Sequence, residues 1–328
     1  MKKYLLSGML VATGLLLATS CSNDESTAQM SKDAQVTFSI ALEGGLGTRA
    51  ISDGTSADKL VYAIYDANNV LLDKISGADA NGQFVDDAAF ETPLVDNVSV
   101  TLAKGQTYTA VFWAQDGDCA AYNTDDLTKV TVDYNAIKNN DEALDVFYKT
   151  ITFSVTEDAT IDVEMKRPLA QVNVGVTAAD WEAAVNSGIE IQKSKVTIKS
   201  VASEINLLTG AVGTPTEVTY DLTAIPAEVL NVDTDGDDVV EDYKYLSMTY
   251  VLVNDASANG AAKAVLEAVE YTFNPVAGED IVFNLGMNNV PVQRNWRTNI
   301  VGKILTGDID FNITIDSAYE DEDLTQIP

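Results

Sequence analysis

Three short stretches carry residues whose type and spacing suit chemistry. The first is "LATSC", where the small residues Ala18, Thr19 and Ser20 directly precede Cys21. This resembles a bacterial lipobox, in which the cysteine sulfur takes up lipid and the residue becomes the new N-terminus; otherwise Cys21 is incidental to an ordinary secretory signal. The second is "ALEGGLGTRAIS", in which Arg49 and Ala50 follow a glycine-rich run. Of four arginines in the chain, Arg49 is the only one before Arg167, so this loop holds either a solvated charge or a peptide bond marked for proteolysis. The third is "NVDTDGDDVVED", where Asn231, Asp233, Asp235 and Asp242 fall at positions 1, 3, 5 and 12 of a calcium-type loop with Gly236 at position 6. Asn at position 1, the short Asp at 12, Val239 at a water-ligand position and strand-like flanks favour an acidic connection between strands over a metal site, so no metal is assigned.

Other chemistry is excluded or unsupported. Histidine is absent, which removes Ser-His-Asp and Cys-His nucleophilic catalysis and every His-based metal site. "GLGTRA" matches G-x-G-x-x-A only formally, because the polar, turn-forming "ISDGTSAD" follows where a helix N-terminus would have to hold a pyrophosphate. Paired carboxylates are everywhere in so acidic a chain, and no pair stands out as a general acid and base. The sequence therefore reads as a protein that is not an enzyme and has no cofactor.

The elements that must position these residues are strands. The chain has 328 residues, 46% hydrophobic and 21% charged, with 50 acidic against 20 basic side chains and a net charge of −30. That is a folded composition whose field repels nucleic acid and anionic lipid. Lys2 and Lys3 precede an apolar stretch from Leu5 to Ala18, too short to span a membrane and right for a signal h-region. If Cys21 carries lipid, Cys119 has no partner, so the fold rests on its core and not on disulfides. "VTFSIAL" alternates strictly, "LVYAIYDANNVLL" reads as a hairpin turning at residues 66–69, and "VSVTLAKGQTYTAVFWAQ" as a second hairpin turning at Lys104-Gly105. "LTKVTVDY", "KTITFSVTED" and "ATIDVEMKR" add strands, and Arg167-Pro168 interrupts the pattern. Beyond it come "LAQVNVGV", a helix in "TAADWEAAVNSG" with Asp180 or a nearby Thr as cap and Gly188 as stop, and further strands to the end. Strands this frequent predict β-sandwich architecture.

The two ends of the chain match. Val36, Phe38, Ile40 and Leu42 recur at period two near the start; Ile309, Phe311, Ile313 and Ile315 do the same near the end, again with Phe second. Both are either resident strands of a sandwich, or one can substitute for the other. A cut at Arg49 would free the first strand and open a groove of four pockets and unpaired backbone groups, which a neighbour's last strand could fill.

Taken in order, the lipoprotein signal ending at Cys21, "GTRA" after a first strand, "LVYAIYDANNVLL" with "TYTAVFWAQ", "MKRPLAQVNV", "INLLTGAVG" and "QRNWRTNIVGKIL" resemble the Bacteroidales fimbrillins, the subunits of type V pili. The resemblance covers essentially the whole chain. It implies a mainly β fold of two tandem transthyretin-like β-sandwich domains with one or two short helices. It divides the chain into a signal peptide (1–20), a tether plus removable first strand (21–49), an N-terminal sandwich (50–166) and a C-terminal sandwich (167–328) whose residues 307–328 contain the donor strand. It implies a lipidated precursor carried through the periplasm to the outer surface, with outer-membrane lipid as its anchor. An arginine-specific surface protease would cut between Arg49 and Ala50. Donor-strand exchange with copies of itself or related pilus subunits would follow, in adhesion and biofilm. The family holds stalk, tip and anchor subunits, and a chain with both a cut site and an alternating last strand looks most like a stalk subunit, since a tip tends to lack the donor and an anchor keeps its lipid. The competing expectation is a monomeric surface lipoprotein that binds glycans, for which Trp113, Trp181 and Trp296 are the aromatic candidates.

Overall fold

A computed structural model of the chain describes residues 32–43, 54–90, 94–136, 138–234, 236, 239–254, 264–285, 290–307 and 309–316. The fold is mainly β. The first half carries β1 (Asp33–Leu42), β2 (Lys59–Asp66), β3 (Phe84–Asp86), β4 (Val95–Ala103), β5 (Gln106–Gln115), β6 (Tyr122–Asn123), β7 (Val130–Val132), β8 (Phe147–Val155) and β9 (Ala159–Met165). The second half carries β10 (Ala170–Thr177), the helix α1 (Ala178–Asn186), β11 (Ile191–Val201), β12 (Glu204–Ile205), β13 (Thr216–Ala224), β14 (Val229–Val232) and β15 (Glu241–Val251). It ends with β16 (Ala264–Leu266), β17 (Glu270–Pro275), β18 (Ile281–Asn284), β19 (Val290–Val292), β20 (Arg297–Lys303) and β21 (Asp310–Asp316).

In the first half a sheet of order β4-β1-β9 faces a sheet of order β3-β2-β5-β8. The alternating apolar residues of β1 meet those of β5 between them: Phe38 packs edge-on against Phe112 at 5.1 Å and against Phe153 of β8 at 5.4 Å. In the second half a β14-β15-β10-β20-β21 sheet faces a β13-β11-β17-β18 sheet, with the Tyr220 hydroxyl of β13 donating to the carbonyl of Tyr250 on β15 at 2.7 Å. Strands β2 and β5 are buried on both faces. Leu60, Tyr62, Ile64 and Phe112 join the first core, whereas Val61, Ala63, Val111 and Trp113 join the core of the second half. Such strands read as continuous apolar runs, as "LVYAIY" and "YTAVFWA" do.

Of the two expected hairpins, one is built differently and the other is short. Strands β4 and β5 run into one another through Lys104-Gly105 but do not pair: β4 pairs with β1, and β5 with β2 and β8. The chain crosses from one sheet to the other there, because Val98, Val100 and Leu102 must face the same core as Tyr108, Ala110 and Phe112 from the opposite side. After β2 the predicted turn forms, with Asp66 Oδ1 accepting from the amides of Asn68 and Val70. The returning segment closes a short hairpin, Leu71 bridging Tyr65 while the Asp66 amide donates to the Val70 carbonyl and the Leu72 amide to the Ile64 carbonyl, each at 2.9 Å.

Candidate functional site

The first of the described strands is an interior strand of its sheet. β1 is antiparallel to β4, with Val36 opposite Val100 and Ile40 opposite Asp96, and parallel to β9, with Phe38 opposite Ile161 and Leu42 opposite Met165. Both of its edges are therefore hydrogen-bonded. Val36, Phe38, Ile40 and Leu42 are all buried, together with Ala34. The other face is polar, with Thr37 Oγ1 2.8 Å from Ser99 Oγ. Period-two alternation sets this arrangement, one row of side chains entering the core and the next facing out.

Where β1 ends, the chain enters a charged knot. The Glu43 amide donates to the Met165 carbonyl at 3.1 Å, and its carboxylate lies 3.6 Å from Lys166 Nζ. Burial is the main influence on that carboxylate and raises its pKa; Asn295, Lys166 and Arg167 oppose the shift. Beside it, the buried Arg167 forms a two-pronged pair with Asp145, Nε donating to Oδ1 at 2.7 Å and Nη2 to Oδ2 at 2.8 Å. The guanidinium also lies over the Phe147 ring at 4.4 Å, and Nη1 reaches the Glu43 carbonyl at 3.4 Å. The planar fork of arginine matches a carboxylate and stacks on an aromatic face, which a lysine cannot do. The Arg167 amide donates to Asn295 Oδ1 at 2.9 Å, tying the knot to the second half of the chain.

Lys166 and Arg167 also line an open cavity of about 670 Å³ with Lys149, Arg294, Asn254 and Asn295, and no acidic side chain among the described residues lines it. Arg294 is held in place by the carbonyls of Val253 and Gly210, each at 3.0 Å.

The last strand is built otherwise. β21 lies at the edge of its sheet, antiparallel to β20, with Thr298 opposite Ile315, Ile300 opposite Ile313 and Gly302 opposite Phe311. Its apolar row is only partly covered. Ile309 is 54% exposed, Phe311 and Ile313 are half-buried, and the Phe311 ring meets Phe283 edge-on at 5.3 Å. A Cβ added at Gly302 would stand 2.3 Å from the carbonyl oxygen of Asp310, so a side chain there would push β21 away. Just before the strand, the buried Asp180 accepts from the amides of Ile304, Leu305 and Thr306 at 2.8, 2.7 and 3.0 Å, and from the Thr306 hydroxyl. Of the two caps expected for α1, Asp180 or a nearby Thr, the structure uses Thr177, whose hydroxyl accepts from the Asp180 amide at 3.2 Å.

Of the residues singled out in the sequence, Cys21, Arg49, Ala50 and Asp235 lie outside the described residues. Asn231 and Asp242 face one another across the antiparallel β14–β15 pair, and Asp233 Oδ1 accepts from the Gly236 amide at 2.7 Å. Among the described residues no three metal-ligating side chains converge. Trp113 is buried and donates from Nε1 to Gln115 Oε1; Trp181 is half-buried beneath Lys244, and Trp296 is half-buried. Cys119 is half-buried and free, and burial raises its thiol pKa. No helix among the described residues is long and apolar enough to cross a membrane. The Glu43, Asp145, Lys166, Arg167 and Asp180 contacts were not evident from spacing. The available signal was the rarity of arginine, with Arg167 set before a proline.

The profile of a family of unknown function, DUF6562, matches residues 26–327. No curated protein matches the chain. Solved structures with a similar course include a candidate adhesin from Bacteroides thetaiotaomicron, at 12% identity and TM-score 0.46, covering 87% of this chain and 96% of that one. A candidate polysaccharide-binding protein from the same organism overlaps at 13% identity and TM-score 0.42, over 82% and 90% of the two chains. A candidate cell adhesion protein from Parabacteroides distasonis overlaps at 13% identity and TM-score 0.43, over 86% and 96%.

Proposed function

We propose that this chain, which belongs to the DUF6562 family, is a subunit of a fibre on the cell surface, assembled by strand replacement and serving adhesion. A protease cuts after Arg49, β1 leaves with the segment before it, and the last strand of a neighbouring copy or related subunit takes its place. One observation carries this reading: an interior strand, bonded on both edges and filling a row of buried pockets, is also the first of the described strands. A single cut in the segment between β1 and β2 severs it from everything it packs against.

The last strand fits the vacated slot in one direction. Laid along β1, Ile309, Phe311, Ile313 and Ile315 fall in the pockets of Val36, Phe38, Ile40 and Leu42: two residues are identical, one is an isomer and one is a methylene larger. Reversed, Phe311 would fall in the Ile40 pocket and Ile313 in the Phe38 pocket, overpacking one and leaving a void in the other. Four such side chains contribute about 6–12 kcal/mol on full burial, and β21 gains because its apolar row is only partly covered at its own sheet edge. A donor and a groove on different parts of one subunit join head to tail, so assembly propagates without closing. Lipidation at Cys21, carriage to the outer surface and a stalk role complete the reading, which is that of a fimbrillin-type subunit without catalytic activity.

The test is limited digestion of the precursor, freed of its signal, with an arginine-specific protease. One early cut after Arg49 followed by oligomers or fibres is expected, and Arg49→Ala should abolish both. A cut product that loses β1 yet stays monomeric would refute the proposal and favour a solitary surface protein.

A further inference from the structure

The direction of the inserted strand decides what lies beyond it. β1 runs toward the charged knot: Leu42 pairs with Met165, and Glu43 sits against Lys166 and Arg167. In the same alignment the residue after Ile315, Asp316, takes the position of Glu43. An acid thus follows the apolar row in both strands. The sequence beyond Asp316 is Ser-Ala-Tyr-Glu-Asp-Glu-Asp, four consecutive acids at residues 320–323. They begin four residues past Asp316, within about 13–25 Å of extended chain.

We infer that the basic cavity beside the end of β1 is the receptor for the acidic C-terminal segment of the incoming neighbour, residues 317–323, and locks the inserted strand in place. This rests on the strand-replacement reading above. The cavity suits such an occupant: Lys149, Lys166, Arg167 and Arg294 are four of only 20 basic residues in a chain with 50 acids, and among the described residues no acid joins them in its lining. Two carboxylates face these cations from neighbouring elements, Asp145 on Arg167 and Glu43 on Lys166. Asp145 stays with the body of the protein. Glu43 departs with β1, because it lies before the cut, so one negative charge leaves as the slot empties and the incoming segment restores the balance. The departure of Glu43 from beside Lys166 and Arg167 makes the cavity a stronger anion site after cleavage than before it. Its field also draws the acidic end toward the correct end of the groove and disfavours reversed insertion.

The experiment cleaves the precursor with an arginine-specific protease in the presence of one of three synthetic peptides. One spans residues 309–316, one spans 309–328, and the third is 309–328 with Glu320→Gln, Asp321→Asn, Glu322→Gln and Asp323→Asn. Affinities are measured at about 0.05 and 0.5 M salt. The long acidic peptide should bind about tenfold more tightly than the other two at low salt, a few exposed pairs each adding a modest increment, and the difference should shrink at high salt. Lys149→Glu should remove most of the advantage while leaving the affinity of the short peptide unchanged. Equal affinity of all three peptides at low salt would overturn the lock and leave strand replacement standing. Binding by none of them would overturn strand replacement, and the lock with it.

Discussion

Phe311 occupies two different environments in the proposed cycle, so Phe311→Ala should have two different effects. On its own sheet edge the ring is half-buried and touches Phe283 on one side. Complete burial of a phenylalanine is worth about 3–5 kcal/mol against alanine, so the half-covered ring should cost the monomer about 1.5–2.5 kcal/mol. In the slot of a neighbour it would replace Phe38, which is 0% exposed and wedged edge-on between Phe112 and Phe153. The cost there is the full 3–5 kcal/mol or so. The difference, about 1.5–2.5 kcal/mol, is what assembly loses, and it corresponds to a subunit–subunit dissociation constant about 10- to 70-fold larger. Urea unfolding of the uncut chain gives the first number, and sedimentation or size exclusion across protein concentration after cleavage gives the second. Phe38→Ala serves as the reciprocal control: it should destabilise the uncut chain by about 3–5 kcal/mol and leave the assembled state unaffected, because that residue has gone. If Phe311→Ala lowers monomer stability but leaves the subunit–subunit dissociation constant within error of the native value, the donor does not enter the Phe38 pocket and the alignment is wrong.

Four further outcomes follow from the geometry. Asp145→Asn leaves the buried Arg167 guanidinium with a neutral partner and should destabilise the fold by about 3–5 kcal/mol in denaturant unfolding; a change within error would mean that the knot holds nothing together. Burial raises the pKa of Glu43 above 4.5, so the folded state holds this proton more tightly than the unfolded one, and its contribution to stability falls as pH rises through that range. Glu43→Gln should therefore gain stability relative to the native chain as pH rises above the ordinary glutamate range, and the opposite trend would contradict the assignment. Gly302→Ala places a Cβ against Asp310 and should free β21 from β20, seen as faster amide exchange confined to residues 309–316. Millimolar calcium should leave the melting temperature unchanged; a rise lost on Asp233→Asn would restore the loop of Asn231–Asp242 as a metal site.

Local pattern and long-range partnership were not equally legible in the sequence. The alternation of "VTFSIAL" identified the four residues of β1 that enter the core, because a strand's period of two follows from backbone geometry alone. It also identified β21. It could not tell which sheet a strand joins: Lys104-Gly105 turns the chain equally well for a hairpin and for a crossing between facing sheets, and the choice lies with the partners β1, β2 and β8. Asp180 was visible as an acid in the first turn of a helix, but its amide partners lie about 124 residues further on. The Arg167–Asp145 pair spans 22 residues with no periodic cue, and the cations of the cavity come from three separate stretches of chain.

The clamp on residues 304–306 has a mechanical consequence. In a fibre built as proposed, tension reaches each donor strand through the segment that Asp180 grips with four hydrogen bonds. It then passes along the axis of the inserted strand. A strand pulled lengthwise between two neighbours is sheared, so its ladder of hydrogen bonds resists together, whereas an edge strand peeled sideways yields one bond at a time. Seated between β4 and β9, the donor would be in the shearing arrangement. At the edge of its own sheet, where one flank is open, it can be peeled away with little force. The same seven residues would then be easy to release before assembly and hard to extract after it.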